Sequence, residues 1–428
     1  MLIVLSALVL FALAFFLFQK KHFMTFSLQH QKISESSKPS LLPSVIVKQD
    51  VPITLKIFSK PAEKSWSIQS IDTMKYSRDL AREKSKDKNF LKFIDAQVKN
   101  IAKTGANFVS IDTPYDQEFF PMLSKWVAAA RKYDLHVWFR GNLSGWEGWF
   151  GYSKINREQH IKKTTEFILN HPDIFEDGDI FSACPECENG APGDPRQTGD
   201  VDGFRNFIIS EYASTQKAFD TISKRVSSNY YPMNADIANL IMDKKTTQAM
   251  NGIIVVDHYV SSPENLVADL KDIRTRTGSK VILGEFGAPL PEINGKMTET
   301  QQAQWINDVL ARLSVVDGIG GVNYWLNAGG STGIWNIDGK PSAAVDVLKK
   351  YFISKNAFGV VTDKLNNPIS GAHISFPGGS TLSTEDGYFE IMHVENFPIK
   401  ITVSAEGFSE ENIEITDNNQ THIILNEK

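Results

Sequence analysis

Short apolar runs rich in Val, Ile, Phe and Tyr alternate with amphipathic segments between residues 51 and 353. In the amphipathic segments, such as DKNFLKFIDAQVKNIAKTG, apolar residues recur at helical spacing, which predicts helices. The short runs predict strands, and strands that alternate with helices are typical of a parallel sheet. The predicted strands lie at residues 66–71, 107–111, 136–139, 179–183, 225–231, 252–256, 280–283 and 320–325.

Eight βα units of this size favour the α/β fold class and a closed (β/α)8 TIM barrel over residues 51–353. A doubly wound open sheet is the alternative arrangement of the same units. No glycine-rich phosphate-binding sequence follows the first predicted strand, which favours the barrel over a nucleotide-binding open sheet. In a barrel, the active site lies at the carboxyl ends of the strands.

Two further segments flank the predicted barrel. Residues 356–428 consist of short alternating runs separated by turn sequences such as NNP and EDG, which predicts a small all-β sandwich. At the other end, the apolar run from Leu2 to Phe18 predicts a transmembrane anchor or signal in residues 1–22, with an uncleaved anchor preferred. Residues 23–50 are polar and aperiodic, and they predict a stalk.

Charge and cysteine content exclude some kinds of partner. The formal net charge is -5 and no basic stripe occurs, so we expect no nucleic-acid partner. Cys184 and Cys187 are the two cysteines, and zinc would need further ligands, so a loop-shaping pair, bonded when oxidised, is favoured. A calcium site at Asp194, Asp200 and Asp202 does not fit the EF-hand spacing, and Asp202 is expected to cap a helix. We therefore predict no metal and no cofactor.

Polar residues follow the predicted strands, where a barrel would carry its chemistry. Glu186 and Glu285 follow the fourth and seventh strands, which lie across the barrel mouth from each other. Two carboxyl groups facing one cavity indicate glycoside hydrolysis, with one as proton donor and one as nucleophile. The other polar residues at strand ends are Asp72, Asp112, Arg140, Asn142, Glu188, Asn229, Tyr230, Asp257, His258, Tyr259, Trp325 and Asn327.

Several of these residues together resemble the clan A retaining glycoside hydrolases, the cellulase and mannanase-like superfamily. The resemblance covers about residues 60–350 and rests on the strand rhythm, a Glu after strand four, His-Tyr after strand six, GEFG after strand seven and NYW after strand eight. It implies that Glu285 is the nucleophile and Glu186 the acid/base. It also implies that Tyr259 hydrogen-bonds the nucleophile and that Trp325 forms a platform under the sugar.

The fourth strand departs from the superfamily pattern. The superfamily usually has Asn-Glu-Pro there, whereas this chain has PECEN at residues 185–189. Either Asn189 or another residue replaces the missing Asn, or Glu188 is the acid/base instead of Glu186. Arg140 resembles a carboxylate-orienting residue, although it follows strand three rather than the more usual position.

Other predicted substrate-binding residues have structural alternatives. Trp146 belongs to an aromatic loop after strand three that either stacks on sugars or folds over the core. His258 is equally well explained as a core histidine, and Asp72 and Asp112 as turn or cap residues. The remaining predicted substrate-binding residues are Asn142, Asn229 and Asn327.

The C-terminal segment has a resemblance of its own. The sequences GVVTDKLNNPISGAHISF, TEDGYFEI and ITVSAEGF resemble the carboxypeptidase regulatory-like, prealbumin-type β-sandwich. This resemblance implies a module that is often appended to exported enzymes. It contains no catalytic constellation, so we expect a spacer or weak glycan-binding role.

These observations predict a retaining β-glycosidase that hydrolyses a β-linked polysaccharide or oligosaccharide by double displacement. We expect it to be held at the membrane by its N-terminal helix with the barrel outside the cytoplasm, or secreted if that segment is cleaved. Lys20 and Lys21 favour the opposite orientation, but the expected polymer substrate and the C-terminal β-module together outweigh them. The alternatives are a non-catalytic glycan-binding barrel of the cell envelope and a transglycosylase.

Overall fold

The computed structural model describes residues 66–190, 193–353, 355–377, 379–394, 397–417 and 419–428. The predicted anchor at residues 1–22, the predicted stalk at 23–50 and the first residues of the predicted barrel lie outside this part of the chain. Within the described residues, no helix combines the length and the apolar character needed to cross a membrane.

The first eight strands form one curled parallel sheet, as the strand and helix alternation predicts. The order of the strands in the sheet is β4, β3, β2, β1, β8, β7, β6, β5. These strands are β1 (Ile68–Asp72), β2 (Phe108–Ile111), β3 (His136–Phe139), β4 (Ile180–Phe181), β5 (Pro232–Asn234), β6 (Ile253–Asp257), β7 (Lys280–Phe286) and β8 (Ile319–Tyr324).

Hydrogen bonds also join the two ends of this strand order. The backbone N–H of Phe181 in β4 donates to the carbonyl of Ser227 at 2.9 Å, and that of Ser227 donates to the carbonyl of Asp179 at 3.0 Å. The chain then continues through Tyr231 into β5, which pairs with β6. The curled sheet is therefore consistent with a (β/α)8 barrel.

Helices follow the strands and cover the sheet. The α-helices in the described residues are α1 (Ala81–Lys84), α2 (Phe90–Ala102), α3 (Phe120–Lys132), α4 (Ser144–Glu147), α5 (Arg157–Asn170), α6 (Pro195–Thr198), α7 (Val201–Thr221), α8 (Ala235–Ile241), α9 (Lys244–Ala249), α10 (Pro263–Thr277), α11 (Pro291–Asn294), α12 (Glu299–Ser314) and α13 (Ala343–Ile353). A π-helical turn spans Lys75–Asp79, and 3₁₀ turns span Trp149–Gly151, Pro172–Ile174 and Cys187–Asn189.

Helix α2 shows how the sequence pattern produces this layer. Its buried residues include Phe90, Ile94, Val98 and Ile101, which recur at helical spacing and form one apolar stripe. The stripe belongs to the same buried cluster as Val109 of the neighbouring strand β2. Burying it removes apolar surface from water, which is the main favourable term in folding.

The fifth strand differs from its predicted position. The sequence predicts residues 225–231, whereas β5 is Pro232–Asn234 and only a single bridge at Ser227 lies in the predicted range. Proline lacks a backbone N–H and is disfavoured in a strand interior, but it is tolerated as the first residue of a strand, where Pro232 lies. The strand end that faces the barrel mouth is therefore Asn234, and not Asn229 or Tyr230.

One helix cap also differs from its expected residue. Helix α7 begins at Val201 and its cap is Asp200, whose Oδ1 accepts from the backbone N–H of Gly203 at 3.0 Å. Asp202, the expected cap, lies in the first turn of the helix. Asp194 caps α6 in the same way.

The C-terminal segment forms two small sheets. One has the strand order β11, β10, β13, β14, and the other has the order β12, β9, β15. Buried residues of both sheets, such as Ile374, Val403, Phe389 and Ile423, belong to one apolar cluster. The strands are β9 (Lys355–Thr362), β10 (His373–Phe376), β11 (Gly379–Leu382), β12 (Tyr388–Val394), β13 (Ile399–Ser404), β14 (Glu411–Ile415) and β15 (Gln420–Ile424).

Candidate active site

Glu285 lies near the carboxyl end of β7 and is 4% exposed. Its two oxygens have different partners. Oε1 accepts from Nη2 of Arg140 at 2.5 Å, and Oε2 accepts from the hydroxyl of Tyr259 at 2.8 Å. The carboxylate is thus held from two sides, by β3 and by the segment after β6.

Arg140 follows β3 and is buried beneath the barrel mouth. Its Nη2 also donates to Asp257 Oδ2 at 2.9 Å, and its Nε lies 3.7 Å from Asp112 and 3.9 Å from Asp72. The planar guanidinium is always charged and donates in fixed directions, so it suits the centre of a carboxylate cluster. A single cation therefore links carboxylates from β1, β2, β6 and β7.

The four carboxyl groups around Arg140 are not equivalent. Burial and the charge of Glu285 raise the pKa of Asp72 to about 6. Burial also raises the pKa values of Asp112 and Asp257 well above the usual range, although Arg140 opposes the change in both. The cluster therefore binds protons more readily than exposed carboxylates do.

Both glycines of the GEFG sequence lie where a side chain would not fit. A Cβ on Gly284 would come within 2.4 Å of Asp257 Oδ1, and the carbonyl of Gly284 accepts from Arg140 Nη1 at 3.1 Å. A Cβ on Gly287 would come within 2.2 Å of the Trp325 carbonyl. The glycines therefore let the Arg140 cluster and the loop after β8 approach β7 closely.

Glu186 lies in the loop after β4, between the cysteines of a Cys184–Cys187 disulfide. Its backbone has φ 45°, the left-handed region that few non-glycine residues adopt, and its N–H donates to the carbonyl of Pro232 at 2.7 Å. Its Oε2 accepts from Asn189 Nδ2 at 3.0 Å. Burial, and after it the charge of Glu285, raises the pKa of Glu186 well above the usual range.

Glu188 occupies a different environment in the same loop. It is 2% exposed, and its Oε1 accepts from the backbone N–H of Asn234 at 2.8 Å and from its side-chain Nδ2 at 3.0 Å. Burial raises the pKa of Glu188 to about 7, although the hydrogen bonds from Asn234 lower it. Glu188 therefore ties the loop after β4 to β5.

Asn142 belongs to a chain of buried polar groups. Its Nδ2 donates to Glu147 Oε1 at 2.5 Å, and its Oδ1 lies 2.7 Å from His160 Nε2. His160 Nδ1 in turn lies 2.5 Å from Glu211 Oε1. The chain runs from α7 through α5 to Glu147, and it fixes the orientation of the Glu147 carboxyl group.

Trp146 adopts the structural alternative, because it is 1% exposed and lies in the core. Its ring stacks on Phe207 at a centroid distance of 5.1 Å, and its Nε1 donates to the Cys187 carbonyl at 3.1 Å. A Cβ on Gly190 would come within 2.1 Å of this ring. Trp146 therefore supports the loop that carries Glu186.

Tyr259 and Trp325 form an aromatic wall next to Glu285. Their ring centroids lie 5.5 Å apart in an edge-to-face arrangement, and Trp325 is partly exposed. The indole Nε1 of Trp325 lies 3.4 Å from the sulfur of Met74, and the peptide bond after Trp325 is cis. Tyr259 also holds the Glu285 carboxylate, and a partly exposed aromatic ring beside such a group is suited to contact a sugar face.

Three of the predicted substrate-binding residues have partners away from the carboxyl groups. Asn229 Nδ2 donates to the Met250 carbonyl at 3.0 Å. His258 Nε2 lies 2.8 Å from Asp269 on α10, and Asn327 Nδ2 donates to Gln97 on α2 at 2.8 Å. The structure therefore brings Arg140, Tyr259, Trp325 and the glutamates together but not these three.

Three polar residues of the cleft were not among the predicted site residues. Glu147 and Asn234 are described above, and Arg78 lies after β1 with its guanidinium 4.7 Å from the ring centre of Trp149. Asn234 could not be predicted because β5 was expected to end earlier. Glu147 and Arg78 lie in helical turns whose sequence carries no signal for the direction of their side chains.

Among the residues that the structure describes, two groups have side chains close enough together to hold a metal ion. Ligand atoms of Asp72, Asp112 and Glu285 lie within 4.8 Å of one another, but Arg140 already supplies a cation there. His160, Cys184 and Glu211 form the second group, in which Cys184 is bonded to Cys187 and has no thiolate to offer. Arg140 thus takes the place of a metal ion in the first group, and the disulfide removes one of the three ligands from the second.

The C-terminal residues match a known family. Residues 357–428 match the CarboxypepD_reg-like domain. The predicted resemblance of this segment is thereby confirmed. No curated protein sequence matches the chain.

Solved structures resemble the chain at low sequence identity. A GH5_18 protein of Streptomyces cattleya, in complex with Manb1-4GlcNAc, is 11% identical with a TM-score of 0.50, over 67% of this chain and 80% of that one. β-Glucuronidase 3 of Bacteroides uniformis is 13% identical with a TM-score of 0.44, over 78% of this chain and 47% of that one. A β-D-glucuronidase of Dictyoglomus thermophilum is 18% identical with a TM-score of 0.47, over 67% and 50%.

The chain thus spans about half the length of these two glucuronidases. The GH5_18 protein shares the fold of this chain, which agrees with the expected barrel architecture. At sequence identities this low, the likeness shows a shared fold and does not show a shared function.

Proposed function

We propose that the chain is a retaining β-glycosidase that hydrolyses β-linked oligosaccharides or polysaccharides. In this proposal Glu285 is the nucleophile and Glu186 is the acid/base. The observation that carries this proposal is that the two carboxyl groups have different environments. Burial and the charge of Glu285 favour the protonated form of Glu186, whereas Glu285 accepts hydrogen bonds on both oxygens, from Arg140 and Tyr259.

The reaction proceeds in two steps. Glu285 attacks the anomeric carbon while Glu186 donates its proton to the departing glycosidic oxygen, and a glycosyl-enzyme ester forms. Glu186, now ionised, takes a proton from water, and that water displaces Glu285 from the anomeric carbon. Two displacements at the same carbon retain its configuration. Arg140 and Tyr259 fix the carboxylate for the first attack and receive it again after the second.

The assignment of Glu186 in place of Glu188 rests on their partners. Glu188 is 2% exposed and is occupied by two hydrogen bonds from Asn234. Glu186 is less buried, and the charge of Glu285 is the largest contribution to its raised pKa after burial. A proton donor must reach the substrate, and Glu186 has the more accessible position.

The first experiment measures hydrolysis of aryl β-glycosides and of glucan, mannan and xylan by the wild type and by Glu285→Ala. We expect turnover with retained anomeric configuration in the wild type, and a loss of at least about 1,000-fold in the variant. Lack of wild-type turnover together with glycan affinity that survives Glu285→Gln would favour the non-catalytic glycan-binding barrel. Inverted product configuration would contradict the double displacement.

The second experiment distinguishes the two candidate proton donors. Dinitrophenol leaves without protonation, so Glu186→Ala should retain formation of the glycosyl-enzyme from dinitrophenyl glycosides, and added azide should then speed turnover. On substrates with poor leaving groups the same variant should lose about 100- to 10,000-fold. Glu188→Ala is the matched control and should show no azide rescue. Rescue of a Glu188 variant alone would reverse the assignment.

We also propose that the barrel lies outside the cytoplasm. The Cys184–Cys187 disulfide supports this location, because disulfides persist in oxidising compartments. A polymer substrate supports it as well. Added protease should cleave the protein on intact cells, and resistance until lysis would place the barrel inside.

A further inference from the structure

The side chain of Glu186 receives little support from its neighbours. Strand β4 ends at Phe181, so Glu186 lies beyond the residues that pair β4 with β3. Among the described residues, its carboxyl group accepts one side-chain hydrogen bond, from Asn189 Nδ2 at 3.0 Å. The position of this carboxyl group therefore depends on the backbone of the loop after β4.

That backbone has an unfavourable conformation at Glu186. Its φ of 45° and ψ of 47° lie in the left-handed region, which a non-glycine residue keeps only where its surroundings enforce it. The N–H of Glu186 donates to the Pro232 carbonyl at 2.7 Å, and the Cys187 carbonyl accepts from Trp146 Nε1 at 3.1 Å. The Cys184–Cys187 disulfide closes the turn around Glu186 covalently.

The size of the disulfide loop indicates a local role. The bond joins cysteines only three positions apart. In the chain-entropy account, a disulfide stabilises a fold by restricting the unfolded chain, and this effect is smallest for the shortest loops. Both cysteines are buried, and Asn142 Nδ2 lies 3.6 Å from Cys184 Sγ. The bond therefore constrains the shape of one turn in the site more than it stabilises the barrel.

We propose that Cys184 and Cys187 are positioning residues for the proton donor, because their disulfide holds the turn that directs the Glu186 carboxyl group at the glycosidic oxygen. This role rests on the proposed function, in which Glu186 is the acid/base. The cysteines contact no reacting atom and act through Glu186. Loss of the bond should therefore impair the step that needs a proton and spare the attack by Glu285.

The test compares two leaving groups. The variant Cys184→Ala/Cys187→Ala removes the bond without adding a buried polar group. The substrates are the phenyl and dinitrophenyl β-glycosides of the sugar that the wild type hydrolyses, and kcat/KM reports the steps up to the glycosyl-enzyme. The matched control is Thr277→Ala/Ser279→Ala, which removes a buried pair bonded at 2.9 Å just before β7.

We expect kcat/KM on the phenyl glycoside to fall about 100-fold in the cysteine variant, which is the effect of misplacing a catalytic group by about 1 Å. On the dinitrophenyl glycoside it should stay within about threefold of the wild-type value, because that leaving group needs no proton. The control variant should keep the wild-type ratio of the two values. In a Glu186→Ala background, removing the disulfide should cause no further fall on the phenyl glycoside, because the group that it positions is absent.

Dithiothreitol gives a second measurement on the unaltered chain, which serves if the alanine variant does not fold. It transfers two electrons and two protons to the disulfide, which becomes two thiols, while dithiothreitol becomes its cyclic disulfide. Once thiol titration counts two free thiols, the reduced wild type should show the same selective fall on the phenyl glycoside.

Equal losses on both substrates overturn the positioning role, because they indicate a disturbance of the whole site. Unchanged activity on the phenyl glycoside overturns it as well, and so does a loss that adds in full to that of Glu186→Ala. These outcomes leave the glycosidase proposal intact, since Glu285→Ala tests it separately. Absence of wild-type turnover on both glycosides overturns the proposed function and the positioning role together.

Discussion

Arg140 Nη2 donates to Glu285 Oε1 at 2.5 Å, across the barrel from the end of β3 to the end of β7. The two residues are separated by 145 positions in the sequence. The same nitrogen also holds Asp257 at 2.9 Å, so Arg140 fixes the proposed nucleophile relative to the carboxylates beneath it.

Even a conservative replacement of Arg140 should therefore lower the activity strongly. Lysine keeps the charge but lacks the planar fork, so Arg140→Lys should lower kcat/KM about 100-fold. Arg140→Ala leaves buried carboxylates without a cation and should lower the free energy of unfolding by about 3–5 kcal/mol. Arg225→Lys is the control, because Arg225 forms an exposed pair with Asp177. Wild-type kinetics in Arg140→Lys would contradict this role.

Tyr259→Phe removes the hydrogen bond to Glu285 Oε2 and keeps the ring next to Trp325. We expect kcat to fall about tenfold or more with little change in the thermal midpoint, since a hydrogen bond to a charged group is lost from a partly buried site. Steady-state kinetics and thermal unfolding measure the two effects. Equal kcat in Tyr259→Phe and wild type would show that the hydroxyl does not assist Glu285.

Gly284→Ala should disturb the site by steric crowding. The added Cβ would lie 2.4 Å from Asp257 Oδ1 and 2.6 Å from Val255 Cγ1, so the Arg140 cluster must shift. Overpacking of this kind costs about 1–3 kcal/mol of stability, and we expect most of the activity to be lost. Gly330→Ala is the matched control, because its new Cβ would meet only the movable end of the Leu326 side chain.

The pH dependence of activity should report the state of Glu186. A proton donor is active while protonated, so kcat/KM should fall as the pH rises through its pKa. Burial and the charge of Glu285 raise that pKa, so the alkaline limb should lie well above the usual glutamate range. Glu188→Gln should keep this limb. A limb at the ordinary glutamate value would contradict the assignment of Glu186.

Glu147 should make stability depend on pH. Its pKa is raised from 4.5 in the unfolded chain to about 8 in the folded protein, so the folded state binds the proton more tightly. The resulting stabilisation is complete below pH 4.5 and is lost as the pH rises from 4.5 to 8, by at most about 1.4 kcal/mol per pH unit. Glu147→Gln removes this loss, so the variant should gain stability relative to the wild type with rising pH. Denaturant unfolding at pH 5 and pH 8 measures the difference, and parallel curves would contradict it.

The strand pattern could be predicted from the sequence because it depends on local periodicity. Seven of the eight predicted strands overlap strands of the sheet, and Glu285 and Tyr259 were assigned from the sequences around them. The fifth strand could not be placed, because Ser227, before Pro232, pairs with β4, whereas the residues that pair with β6 begin at Pro232. Only the closing of the sheet selects these pairs.

The environments of the side chains could not be predicted from the sequence. Glu186 and Glu188 are two residues apart in one loop, and their chemical types are identical. Their environments differ because Asn234 holds Glu188 in a buried position while the charge of Glu285 acts on Glu186. Burial and neighbouring charges set these properties, and both depend on distant parts of the chain.

By itself, the sequence determined the alternation of strands and helices, the C-terminal β-domain and the candidate carboxyl groups, since each follows from residues close together in the chain. The tertiary structure decided which groups meet: Arg140 with Asp257 and Glu285, Asn234 with Glu188, and Asn142 with Glu147. The physical reason is that hydrogen bonds and desolvation act over a few ångströms in space, and only the curled sheet brings these residues within that distance.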